Sequence, residues 1–123
     1  MQLKNEDLAT ALEIKQFLEK NYCEHYDYDY LVSKFGMNKF KLKLAFKAVS
    51  FHNVHSYITR LRVERAKDLL ENTDGTIGFI AEKVGLDKSN FNIQFKKLTG
   101  KTPSEWRKNT SRTSYSNMSW QRM

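Results

Sequence analysis

The chain has 123 residues and a formal net charge of +7, with 40% hydrophobic and 13% aromatic side chains. That apolar content excludes wholesale disorder, and one Pro with five Gly argues against a turn-rich all-β chain. The lone Cys23 excludes an internal disulfide framework and suits a reducing cytosol. No apolar run approaches the roughly 20 residues that span a bilayer, and the start MQLKNEDLAT lacks the layout of a secretory signal.

The charge is unevenly spread. Residues 1–30 carry three Lys against seven Asp/Glu, whereas residues 31–123 carry 18 Lys/Arg against seven Asp/Glu. A basic region of net +11 points to a polyanionic partner, nucleic acid first and an acidic membrane surface second.

Taken in order, residues 5–22 read as an amphipathic helix capped by Asn5, with Leu8, Ala11, Leu12, Ile14, Leu18 and Tyr22 on one face. Residues 23–29 form a polar connector. A short helix follows at about Tyr28–Phe35, stopped by Gly36, and another starts after Asn38 and runs to about Val49. The longest element, 53–71, contains neither Gly nor Pro; Asn53 caps it and Asn72–Gly75 stops it. Its apolar residues form two stripes: Val54, Tyr57, Ile58 and Leu61 on one side, and Val63, Ala66, Leu69 and Leu70 about 140° away, at ~100° per residue. A buried face that turns partway along a helix predicts packing against two bodies. After it come a short helix at Ile77–Val84, Gly85, a helix from Lys88 to about Leu98, Gly100, and a last helix capped by Thr102 with Pro103 at its first position. The fold class is all-α. The predicted organisation is a first helix-turn-helix subdomain with its cover helix (1–52), a linker helix (53–72), a second helix-turn-helix subdomain (73–108) and a polar, disordered tail (109–123).

The pattern repeats without gaps at an offset of 49 residues. Leu31 to Gly36 matches Ile80 to Gly85, Leu42 matches Phe91, Phe46 matches Phe95, Asn53 matches Thr102 as a cap, and Tyr57 matches Trp106 as an anchor. Each repeat has the spacing of a DNA-binding helix-turn-helix, in which one helix braces a second that projects into a major groove. The linker helix, about 28 Å at 1.5 Å per residue, is compatible with the roughly 34 Å between successive major-groove faces. In the first unit Lys39, Phe40, Lys43, Leu44 and Lys47 point outward. Lys can reach guanine O6/N7 or phosphate, and Phe40 and Leu44 suit thymine methyls. In the second, Lys88, Ser89, Asn92, Ile93 and Lys96 point outward with Asn90 near the edge, and Asn suits bidentate adenine recognition. Phosphate contacts are expected from Lys39, Lys47, Lys88, Lys96, Lys97, Lys101 and Arg107. Arg62 and Arg65 are expected to hold the linker helix to its neighbours.

Residues from about Glu6 to Lys108 resemble the DNA-binding domain of AraC/XylS-type bacterial transcription regulators. The resemblance is carried by Arg62 to Leu70, Ile80 to Leu86, Ser89-Asn90-Phe91, Phe95 to Gly100 and Thr102 to Lys108. It implies seven helices, two helix-turn-helix units joined by a linker helix, and DNA binding that turns transcription up or, less often, down. By position it implies base contacts at Phe40, Lys43 and Leu44, and at Ser89, Asn90, Asn92 and Ile93. It further implies double-stranded DNA and RNA polymerase as partners, a cytoplasmic location at the bacterial nucleoid, and an effector or receiver domain that these 123 residues have no room for, so that the chain is a short regulator or an excised domain. Departures from the family pattern are Phe51 where Gly usually precedes the linker helix, Leu86 where an aromatic is commoner, and a turn before Ser89 one residue shorter.

Other function classes find less support. His52 and His55, or Cys23 with His25, supply too few ligands for a zinc site, and no phosphate loop or hydrolase elbow is present; no catalytic residue, metal or cofactor is expected. A protein-binding helical adaptor would explain exposed Phe40 and Leu44 but not the basic charge. RNA binding fits the charge but lacks a module signature.

Overall fold

The structure, a computed structural model, describes residues 3–110. Among them are seven helices and no strand: α1 (Asn5–Asn21), α2 (Tyr28–Phe35), α3 (Lys39–Ser50), α4 (Val54–Asn72), α5 (Ile77–Lys83), α6 (Lys88–Thr99) and α7, residues 103–110. They form two compact units, one through Leu61 and one from Arg62.

In the first unit α1 packs chiefly on α3. Ala11, Ile14 and Leu18 of α1 meet Leu31 of α2, Leu42, Ala45 and Phe46 of α3, and Val54 and Ile58 of α4. The second core joins Val63, Ala66 and Leu70 of α4 to Ile80 and Ala81 of α5, Val84, and Phe91 and Phe95 of α6, with Trp106 packed against it. The two stripes of α4 thus serve different cores: Tyr57 and Leu61 pack on the first cluster and Leu69 on the second.

Local chemistry sets the helix ends. Asp27, Asn38, Asn53, Thr76, Asp87 and Thr102 each accept a backbone N–H three residues on, satisfying donors that the helix start leaves over. At α7 the arrangement is reciprocal: the Thr102 N–H donates to Glu105 Oε1 at 2.8 Å. Hydrogen bonding from the Thr102 backbone, then its side chain, lowers the Glu105 pKa. That contribution is present at neutral pH and is lost as pH falls through the lowered value.

The 49-residue repeat extends to hydrogen bonds. Ser50 Oγ donates to Phe46 O and accepts from the His52 N–H; Thr99 Oγ1 donates to Phe95 O and accepts from the Lys101 N–H. The turn glycines Gly36 and Gly85 both have positive φ, at 66° and 84°. So do the paired residues after α3 and α6, Phe51 (65°) and Gly100 (83°). Each donates its N–H to the carbonyl four residues back, Lys47 and Lys96, so the helix stop needs a left-handed residue in both units. Phe51 is 81% exposed, so little packing offsets its backbone strain. Replacing Phe51 with Gly is expected to stabilise the first unit by up to ~1 kcal/mol, the left-handed penalty less the added chain entropy. A thermal melt checks this; a lower midpoint would mean that the ring contributes packing.

Some expectations need correction. The N-cap of α1 is Lys4, not Asn5: its N–H donates to Asp7 Oδ2 at 2.9 Å, and Asp7 is buried beside Lys41, 3.9 Å away. Leu12 is exposed rather than on the core face: Ala11, Ile14 and Leu18 are the buried apolar residues of α1, with Leu8, Phe17 and Tyr22 partly buried against the same core. Asn109 and Thr110 belong to α7, with Thr110 Oγ1 bonded back to Trp106 O at 2.8 Å; the remainder of the predicted tail, residues 111–123, lies outside the described residues.

Candidate nucleic-acid interface

The two helices that follow the turns, α3 and α6, carry four and three lysines and no acidic residue. Both begin with Lys at the first helical position, Lys39 and Lys88. A cation there opposes the helix dipole by roughly 0.3–1 kcal/mol. The helix dipole therefore gives no reason for that placement, whereas a nearby polyanion would.

In the first unit, burial of Leu42, Ala45 and Phe46 turns Lys39, Phe40, Lys43, Leu44 and Lys47 outward, all exposed. Phe40 is 58% and Leu44 40% exposed, so two large apolar groups stand among cations. Phe46 is locked from behind by Tyr57, edge-on at 5.5 Å. The Tyr57 hydroxyl donates to Glu19 Oε2, and burial, then that carboxylate, raises the phenol pKa. It therefore stays a donor, tying α4 to α1 behind the exposed face.

In the second unit Phe91 and Phe95 are fully buried, their rings 5.6 Å apart, and Trp106 packs edge-on against Phe95 at 5.7 Å while donating Nε1–H to Glu71 Oε2 at 3.0 Å. This turns Lys88, Ser89, Ile93, Lys96 and Lys97 outward, with Ile93 63% exposed. Asn92 is half-buried. Asn90 is at the edge, its Oδ1 3.4 Å from Gln94 Nε2. Lys101 is exposed just past α6.

Arg107 has a different role from the phosphate contact expected of it. Its Nε donates to Leu70 O at 3.1 Å, NH1 to Gly75 O at 2.5 Å and NH2 to Thr73 O at 2.9 Å. The guanidinium is committed to the carbonyls at and after the end of α4. Pattern reading missed this because all three partners lie more than 30 residues away. Of the two linker-helix arginines, Arg62 is buried, whereas Arg65 is exposed and pairs with Asp68. Tyr28 was also missed: its ring lies beneath two lysines of α3. Among the described residues no three His, Cys, Asp or Glu gather as metal ligands, and no helix is long and apolar enough to cross a membrane.

Comparison with known proteins gives this geometry a context. A family model described as a helix-turn-helix domain matches residues 31–109. The bifunctional transcriptional activator/DNA repair enzyme AdaA of Bacillus subtilis is 32% identical over 95 residues, covering 76% of this chain and 45% of that protein. The C-terminal domain of the two-component response regulator yesN from Fusobacterium nucleatum superposes with a TM-score of 0.71 at 30% identity, over 79% of this chain and 97% of that one. The DNA-binding domain of the transcriptional factor AdpA, solved with a target DNA, shares the fold at a TM-score of 0.76 and 19% identity, over 80% of this chain and 90% of its own. The matches span less than half the length of the curated relatives.

Proposed function

The chain belongs to the AraC-type helix-turn-helix family of bacterial DNA-binding transcription regulators, and we propose that it reads duplex DNA with α3 and α6 in adjacent major-groove segments. The observation that carries this reading is the presence of two buried-backed helices, each acid-free, lysine-rich and showing exposed apolar side chains, Phe40 and Leu44 on α3 and Ile93 on α6. On α3, Phe40 and Leu44 press on base edges, with Lys43 on the same face. On α6, Asn92 and Ser89 supply hydrogen bonds and Ile93 an apolar contact, with Asn90 beside them. Lys39, Lys47, Lys88, Lys96, Lys97 and Lys101 contact phosphates. The chain acts as a binding module and not as an enzyme. RNA polymerase and an effector or receiver domain are partners of the whole regulator, which acts in the bacterial cytoplasm.

Selection of binding sites from a random duplex library at two salt concentrations tests this. Two short boxes about one helical turn apart support it; no enrichment and no binding at either salt would refute it and bring the adaptor reading forward. Asn92→Ala is expected to relax preference at one base pair by about 1–3 kcal/mol. Equal weakening on every sequence would make Asn92 a backbone contact instead. Lys47→Gln is expected to weaken all sequences alike and flatten the salt dependence by about one ion; an unchanged slope would remove Lys47 from the phosphate set.

A further inference from the structure

Tyr28, the first residue of α2, belongs to the bracing helix and not to the reading helix. Its half-buried ring packs against the first core on one side. The ammonium of Lys43 lies 4.9 Å from the ring centroid and that of Lys39 5.9 Å. Lys39 and Lys43 are four residues apart on α3, so one aromatic face can serve both. Tyr28 also lines a shallow depression with Lys43, Leu44, Lys47, Asn53 and His55, where α3 meets the start of α4. The second repeat lacks this arrangement. Forty-nine residues on, Ile77 stands for Tyr28, Lys88 for Lys39 and Asn92 for Lys43. The aromatic ring is present in the repeat that has the lysine pair and absent from the one that has Asn.

We propose that Tyr28 is a positioning residue of the DNA-binding face: its ring holds the Lys43 ammonium at the α2 edge of α3, toward a backbone phosphate, and leaves base reading in this unit to Phe40 and Leu44. A Lys side chain is a flexible point charge, and left free it can reach either guanine or phosphate. Held over the ring, its charge lies in the depression beside Lys47, and the apolar pair Phe40 and Leu44 faces the groove without a competing donor. The first unit then reads by apolar contact, which suits thymine methyls, whereas the second reads by hydrogen bonds from Asn92 and Ser89. This inference rests on the DNA reading above and deepens it.

A double-mutant cycle tests it, with a duplex selected from the random library and a scrambled duplex of the same length as probes. Tyr28→Ile takes the residue of the second repeat; Tyr28→Phe keeps the ring; Lys43→Met removes the charge. Melting curves confirm that each variant is folded at the assay temperature. Tyr28→Ile is expected to weaken binding to both duplexes by about 2- to 5-fold, the size of an exposed cation–π contact. In the Lys43→Met background its effect should fall below about 2-fold, because the ring then has lost its main cation. Tyr28→Phe should bind like the parent. Lys43→Met should weaken both duplexes alike and flatten the salt slope by about one. Equal effects of Tyr28→Ile with and without Lys43 would make Tyr28 a merely structural residue and overturn the proposal. So would a Lys43→Met effect confined to one base pair, or a Tyr28→Phe variant as weak as Tyr28→Ile. A parent protein that binds neither duplex would instead bring down the DNA reading itself.

Discussion

Replacing Phe46 or Phe95 with Ala is expected to cost about 3–5 kcal/mol in the unit that carries it. Both side chains are completely buried, and each is the ring against which an anchoring aromatic packs, Tyr57 and Trp106 respectively. The loss combines the transfer free energy of the ring with the cavity left behind. A unit of about 60 residues has a total stability of that order, so either change should unfold its own unit at moderate temperature. The two core clusters share no residue. Phe46→Ala should therefore remove the first unit's amide signals from the folded region of an NMR spectrum, and Phe95→Ala those of the second. On DNA each variant should protect one box instead of two. A cost below about 1 kcal/mol in denaturant titration would show that the site collapses around the missing ring and that the aromatic pair is not the keystone of its unit.

Arg107→Met is the second large expected effect, about 2–3 kcal/mol. Three charge-assisted hydrogen bonds to the carbonyls of Leu70, Thr73 and Gly75 disappear together; Leu70 lies in the last turn of α4, where carbonyls have no helical partner, and Thr73 and Gly75 follow it. The methionine retains the aliphatic stem, so the loss reports the guanidinium. In a unit of this size the melting midpoint should fall by roughly 4–8 °C for each kcal/mol. The salt dependence of DNA binding, measured below the lowered midpoint, should not change. A flattened slope with an unchanged melt would restore Arg107 to the phosphate set and demote its three carbonyl bonds.

These two expectations have different origins in the chain. Phe46 and Phe95 are identifiable from spacing: each lies four residues after an apolar partner, Leu42 or Phe91, and the pair recurs at the repeat offset. Helix starts at Asn38, Asn53 and Thr102 are legible for the same reason, since a cap acts on an N–H only three residues away. The outward faces of α3 and α6 follow by subtraction once the inward residues are known. So do the two stripes of α4, because a 3.6-residue period fixes the direction in which each side chain leaves the axis.

Periodicity says nothing about what stands opposite a side chain. Arg107 reads as one more surface cation in a basic segment, and only the folding of α7 onto the end of α4 turns it into a staple. The same limit hid the Glu19 partner of Tyr57, the Glu71 partner of Trp106 and the ring of Tyr28 under Lys43. It also let Leu12 pass for a core residue, since the width of a buried stripe is set by the neighbouring helix and not by the helix that bears it. What the sequence determined by itself was local: caps, stops, helical faces, the doubled unit and its charge. Only the tertiary structure decided which charges are free for a polyanion and which are already committed, because hydrogen bonds and cation–π contacts join residues whose separation along the chain carries no information about their distance in space.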